Sequence, residues 1–126
     1  MRAGDTFLMH LTDSGAGPYY HLFVVLTDPD PENGRVVAVM LMTATKNTDG
    51  TVILQIGDHP FIKHPTAVHF STAKYYQAAK IEQAFAKGIC RQRDRIADEV
   101  LTKIRAGLLA SPYTVNAIRA YCRTKF

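Results

Sequence analysis

Apolar and polar positions follow one rhythm in the first half of the chain and another in the second. Thr6-Phe7-Leu8-Met9-His10-Leu11 reads as a first strand, introduced by Gly4-Asp5. Asp13 to Pro18 is a Gly/Ser/Pro loop, and His21 to Thr27 is a β-branched and aromatic run that reads as a buried strand. The Asp28 to Gly34 cluster ends in Asn-Gly, a hairpin signal that leads into a long third strand over Arg35 to Thr45. A turn at Asn47 to Gly50 precedes a fourth strand, Thr51 to Ile56; Val68 to Phe70 and Ala73 to Tyr76 read as two further short strand pieces. From there the period becomes helical. Ala78 to Lys87 carries Ile81 and Phe85 four apart and is stopped by Gly88. Ile96, Ala97, Val100, Leu101 and Ile104 form one helical face within Asp94 to Arg105, with Gly107 just beyond. Ser111-Pro112 reads as an N-cap with proline at the first helical position, predicting a third helix over 112–122. Strands followed by helices predict an α+β chain: a small, strongly curved antiparallel sheet or barrel with C-terminal helices.

The 126 residues suit a single domain spanning 1–126, and 47% apolar content supplies a core. Ala3 to Leu11 is too short and too polar for a membrane span and lacks the marks of a signal peptide, so a cytoplasmic protein is expected. Cys90 and Cys122 lie far apart outside any CxxC or CxxH pattern, which speaks against a disulfide scaffold, a zinc site and a catalytic thiol. Charge is uneven. Residues 1–75 hold five Lys/Arg against seven Asp/Glu, residues 76–126 ten against four. A basic second half suits a polyanion or an acidic partner, or is a set of solvated helix faces.

The segment Gly57-Asp58-His59-Pro60-Phe61-Ile62-Lys63-His64-Pro65 concentrates candidate chemistry. Two prolines and a Gly-Asp pair make it a shaped loop, and loops on rigid scaffolds often carry function. His59 and His64 can serve as acid and base near neutral pH if they converge, with Lys63 binding phosphate as a point charge. Alternatively, Asp58 and His59 hydrogen-bond the loop's own backbone and fix its shape. The spacing of Asp58, His59 and His64 meets no metal-ligand pattern, so no metal and no cofactor is expected. Lys74-Tyr75-Tyr76 sets a cation beside two aromatics, suited to stacking single-stranded RNA or to ordinary core packing. Tyr19 and Tyr20 would cover the site or meet a partner.

The order of these pieces resembles the MazF/PemK family of toxin endoribonucleases. Gly4-Asp5-Thr6-Phe7 is similar to the family's opening Gly-Asp and first strand; His21 to Leu26 falls where the family has Arg-Pro and an apolar strand. Val36 to Thr43 looks like its third strand, and Ser71-Thr72-Ala73-Lys74 with Ala78-Ala79-Lys80-Ile81 like its last strand leading to a helix. The likeness covers roughly residues 4–105, with the 112–122 helix an addition. It implies an SH3-like barrel, metal-independent cleavage of single-stranded RNA, a cognate acidic antitoxin and a homodimer. Carried over by position, the family's arginine becomes His21, followed by Leu22 instead of proline, and its Thr/Ser becomes Thr43. His21, Thr43, His59 and His64 are thus the expected catalytic set, with Lys63, Lys74, Tyr75, Tyr19 and Tyr20 on the RNA. The lost Arg-Pro pair equally suits a non-catalytic SH3-like module that binds a protein partner.

Overall fold

The structure, a computed structural model, describes residues 1–11 and 19–126, with only the backbone described for Leu11 and Tyr19. Its strands are β1 (Thr6–Leu11), β2 (Tyr19–Val25), β3 (Arg35–Thr43), β4 (Ile53–Leu54), β5 (Thr66–Gln77) and β6 (Cys90–Arg93); its helices are α1 (Ala78–Ala86), α2 (Asp98–Ala110) and α3 (Asn116–Lys125). All pairings are antiparallel, in the order β4-β5-β3-β2-β1-β6. The chain is therefore α+β: a curled sheet forming half a barrel, with α1 inserted before the last strand and α2 and α3 at the C-terminal end.

The unbroken apolar runs of β2 and β3 arise because both faces of the sheet are covered, as central strands require. Leu22, Val24, Val37, Val39 and Leu41 point to one face, where Val100, Leu101, Ile104 and Leu108 of α2 and Ile118 and Cys122 of α3 close the larger core. Phe23, Val25, Val36 and Ala38 point to the other and meet Ala78 and Ile81 of α1. There Phe7 stacks on Phe23 at 5.2 Å, each fully buried aromatic contributing about 2–3 kcal/mol.

The curl has a local cause. Ala38 pairs Lys74 but Met40 pairs His69, so β5 carries three more residues than β3 across this step. Thr72 fills the gap by accepting the Met40 N–H (3.1 Å) and donating to the His69 carbonyl (2.6 Å), which turns two predicted strand pieces into one bent strand. Several helix boundaries depart from the sequence pattern. Arg95 to Ala97 is extended, because the Ile96 N–H donates to the Gly4 carbonyl (2.9 Å), so α2 starts only at Asp98. It then runs through Gly107, where a Cβ would overlap Val52 Cγ2 and approach Phe70 Cζ to 2.8 Å; glycine here permits close helix–sheet packing and is no stop signal. Ser111 does not cap α3. Its hydroxyl donates to Asp49 Oδ2 (2.7 Å) and accepts the Tyr113 N–H, holding 111–114 in a turn before the helix at Asn116.

Gly4-Asp5 has a structural task. Gly4 sits at φ +93°, in the left-handed region that favours glycine, and the Asp5 carboxylate binds the Arg2 N–H and the Arg95 guanidinium. Both cysteines are free and buried, and burial pushes their thiols up, Cys122 to about 11, so neither is a ready nucleophile. No helix among the described residues is long and apolar enough to cross a membrane.

Candidate functional site

β2 follows β1 through its full length, from Leu11↔Tyr19 to Thr6↔Val24, yet it pairs with β3 only at Phe23, Val24 and Val25. β3 meanwhile stays with β5 as far as Thr43↔Thr66. The two halves of the sheet therefore part beyond Phe23 and Met40. A cavity of about 500 Å³ opens between Tyr20-His21-Leu22 on one side and Leu41-Met42-Thr43 on the other, roofed by Pro60 to His64.

The roof is held by two inward-facing residues. Ile62 is buried in the larger core. His59, only 3% exposed, is fixed at both nitrogens: Nδ1 accepts the Phe61 N–H (3.0 Å) and Nε2–H donates to the Asp94 carbonyl (2.6 Å). The Thr6 hydroxyl donates to the same carbonyl at 2.6 Å. Upstream, Gly57 turns at φ +102° and the Asp58 carboxylate accepts the Gln55 N–H at 2.8 Å. With His59 and Ile62 turned inward, Phe61, Lys63 and His64 are left exposed on the cavity side.

Of the four expected catalytic residues the fold gathers three. His21, Thr43 and His64 come from β2, β3 and the loop to line one cavity, together with Lys63 and Tyr20. His21 Nδ1 donates to the Leu41 carbonyl at 3.3 Å, so the neutral ring carries its basic nitrogen at Nε2. His59 is separated from them: it is a buried clamp bonded to backbone and no part of the cavity wall. Lys74 and Tyr75 also lie elsewhere. Lys74 pairs with Ala38, five residues or about 17 Å along β3 from Thr43. Tyr75 is half-buried between the Arg35 guanidinium, 4.5 Å from its ring centre, and the Tyr121 ring, which meets it nearly at right angles with 5.2 Å between ring centres. The Tyr19 side chain lies outside the described residues.

Most of the cavity wall is apolar: Leu22, Leu41, Met42, Pro60, Phe61 and Ile62. Such a wall fits a flat ring or a small apolar side chain, with polar groups at the rim to orient it. Sequence reasoning missed Thr66, whose position at the start of β5 follows from its hydroxyl donating to the His64 carbonyl (2.9 Å). Among the described residues no group of His, Cys, Asp and Glu is arranged to hold a metal ion.

Much of the basic C-terminal half serves the fold. Arg105 donates twice to the Leu26 carbonyl (3.0 and 2.8 Å), and Arg119 reaches the carbonyls of Leu109, Ser111 and Thr114. Arg95 is engaged by Asp5. Arg91 and Arg93 lie on edge strand β6 and on no helix, and the Arg91 guanidinium rests 5.5 Å from the centre of the Tyr20 ring.

Comparison with protein-family models yields no match to this chain, and comparison with curated proteins yields no significant one.

Proposed function

We propose that the cavity between β2 and β3 binds a nucleotide of single-stranded RNA and that the protein is a metal-independent endoribonuclease of the PemK-like kind. The observation that carries this reading is the convergence of His21, Thr43, Lys63 and His64 from three separate segments on one cavity. Cleavage at a 2′-hydroxyl needs a base for its proton, an acid for the departing 5′-oxygen and cations or donors for the charge on phosphorus. His21 and His64 supply the two proton-transfer groups without His59. Thr43 and Lys63 stand at the rim as hydroxyl donor and cation, and the apolar wall receives the base. The products would be a 2′,3′-cyclic phosphate and a 5′-hydroxyl. By the same resemblance the chain would be the toxin half of a two-component pair, dimeric and restrained by an acidic antitoxin.

The test is incubation of the pure protein with a mixed-sequence RNA pool and a chelator across about pH 5–8, where imidazoles change charge. Cyclic-phosphate ends that disappear in His21→Ala and His64→Ala support the reading. RNA left intact at every pH overturns the nuclease.

One observation favours a second reading. Where β2 and β3 part, their backbones face each other across an apolar gap, a setting in which an extended peptide can add as a strand. Under that reading the chain is an interaction module for a protein partner. Binding of extended peptides without RNA binding would select it.

A further inference from the structure

Tyr20 is at once the outer wall of the cavity and the centre of an exposed patch. It is 46% exposed, its ring lies 5.1 Å from that of His10, and Arg91 sits over it. The register explains the grouping. His10 pairs with Tyr20, and Leu8 pairs with both Leu22 and Arg91, so His10, Tyr20 and Arg91 emerge on the same side of β1, β2 and β6. Arg91 reaches over β1 to the ring on β2, a span of about 10 Å across two strand spacings. Among the described residues no carboxylate pairs with Arg91 and no carbonyl accepts from it, in contrast to Arg95, Arg105 and Arg119. Asp94, three residues beyond Arg91, is exposed, and its carbonyl is committed to His59 and Thr6.

We infer that this patch extends the cavity into a nucleic-acid track in which Arg91 binds the phosphate next to the nucleotide held between β2 and β3. A guanidinium held 5.5 Å from the centre of an aromatic ring leaves N–H groups for another partner, and its planar fork matches phosphate oxygens two at a time. The exposed part of Tyr20, beside His10, offers a stacking surface for the adjoining base. Lys63 and His64 line the roof of the same cavity, so a backbone running from the cavity to the Tyr20 patch meets positive charge at both places.

This inference rests on the RNA reading above, and its test separates the two. Binding of a short fluorescein-labelled mixed-sequence single-stranded RNA is followed by anisotropy as salt is varied, for the full chain and for Arg91→Ala, Arg91→Lys, Tyr20→Ala and Arg123→Ala. Arg123 is an exposed α3 arginine that provides the same charge change off the track. Each variant's fold is checked by circular dichroism; should Arg91→Ala misfold, Arg91→Gln replaces it. The expected result is a salt slope for Arg91→Ala shallower by about 0.7, one phosphate contact on a single strand. Arg91→Lys keeps the slope but binds several-fold more weakly. Tyr20→Ala loses roughly tenfold in affinity at unchanged slope, and Arg123→Ala keeps the wild-type slope. If Arg91→Ala and Arg123→Ala behave alike while the wild type binds RNA, the track is overturned and the cavity reading stands. If the wild type binds no RNA, both fall. If polyglutamate competes as well as RNA and loses equally from Arg91→Ala, the patch is a general acidic-ligand surface and the inference is overturned.

Discussion

Replacing His59 by alanine separates a structural from a chemical role for the most conspicuous residue of the loop. The variant loses the acceptor for the Phe61 N–H and the donor to the Asp94 carbonyl, which then keeps only the Thr6 hydroxyl. Two hydrogen bonds at about 1 kcal/mol each, plus the void left by an almost fully buried ring, give a loss of about 2–4 kcal/mol. For a chain of this length that corresponds to a fall in melting temperature of roughly 6–20 °C. His64→Ala removes an exposed ring and should stay within about 0.5 kcal/mol of wild type. Thermal unfolding followed by circular dichroism measures both. His59→Gln, which keeps a donor at similar reach, should recover part of the loss. A His59→Ala protein that melts within a degree or two of wild type, yet loses all action on RNA, would refute the clamp and return His59 to the chemistry.

Two further outcomes follow from the core. Burial pushes the Asp49 carboxyl up, but hydrogen bonds from Thr51 and Ser111, with His69 nearby, outweigh it and hold the group below its ordinary value. A lowered folded-state value means stability present above the unfolded value near 4 and lost as pH falls through the folded one. Asp49→Asn should therefore cost about 1–3 kcal/mol near neutral pH, and urea titrations should show the gap closing in acid; a gap independent of pH would contradict this. Gly107→Ala gains up to about 1 kcal/mol of helix propensity but forces a methyl into Val52 and Phe70, for a net loss of about 1–2 kcal/mol; a stabilised variant in the same titration would show that the packing is looser than described.

The strands that apolar and β-branched runs marked clearly, β1, β2 and β3, are present, since their pattern reflects burial that the local sequence already encodes. β6 was missed because Cys90-Arg91-Gln92-Arg93 has one buried residue in four, as an edge strand allows, and looks like any polar connection. The helix boundaries at Asp98 and Asn116 depend on Gly4 and Asp49, distant partners that no local signal carries. The site divides in the same way. His21, Thr43 and the outward half of the loop belong to one cavity, whereas the fate of His59 was decided by a carbonyl 35 residues away. Lys74 and Tyr75 follow one another convincingly in sequence but fall on the far stretch of β5, beyond the bulge that Thr72 fills.

A half-closed barrel keeps two raw margins that a closed one would not have, each able to recruit a neighbouring molecule into runaway strand addition. Here both margins are poor templates: β4 offers two residues, and β6 carries arginines at alternate positions that repel a like copy of themselves. The open architecture can thus persist at high concentration without turning to fibres, and a stable pair of these molecules would have to meet through some other surface.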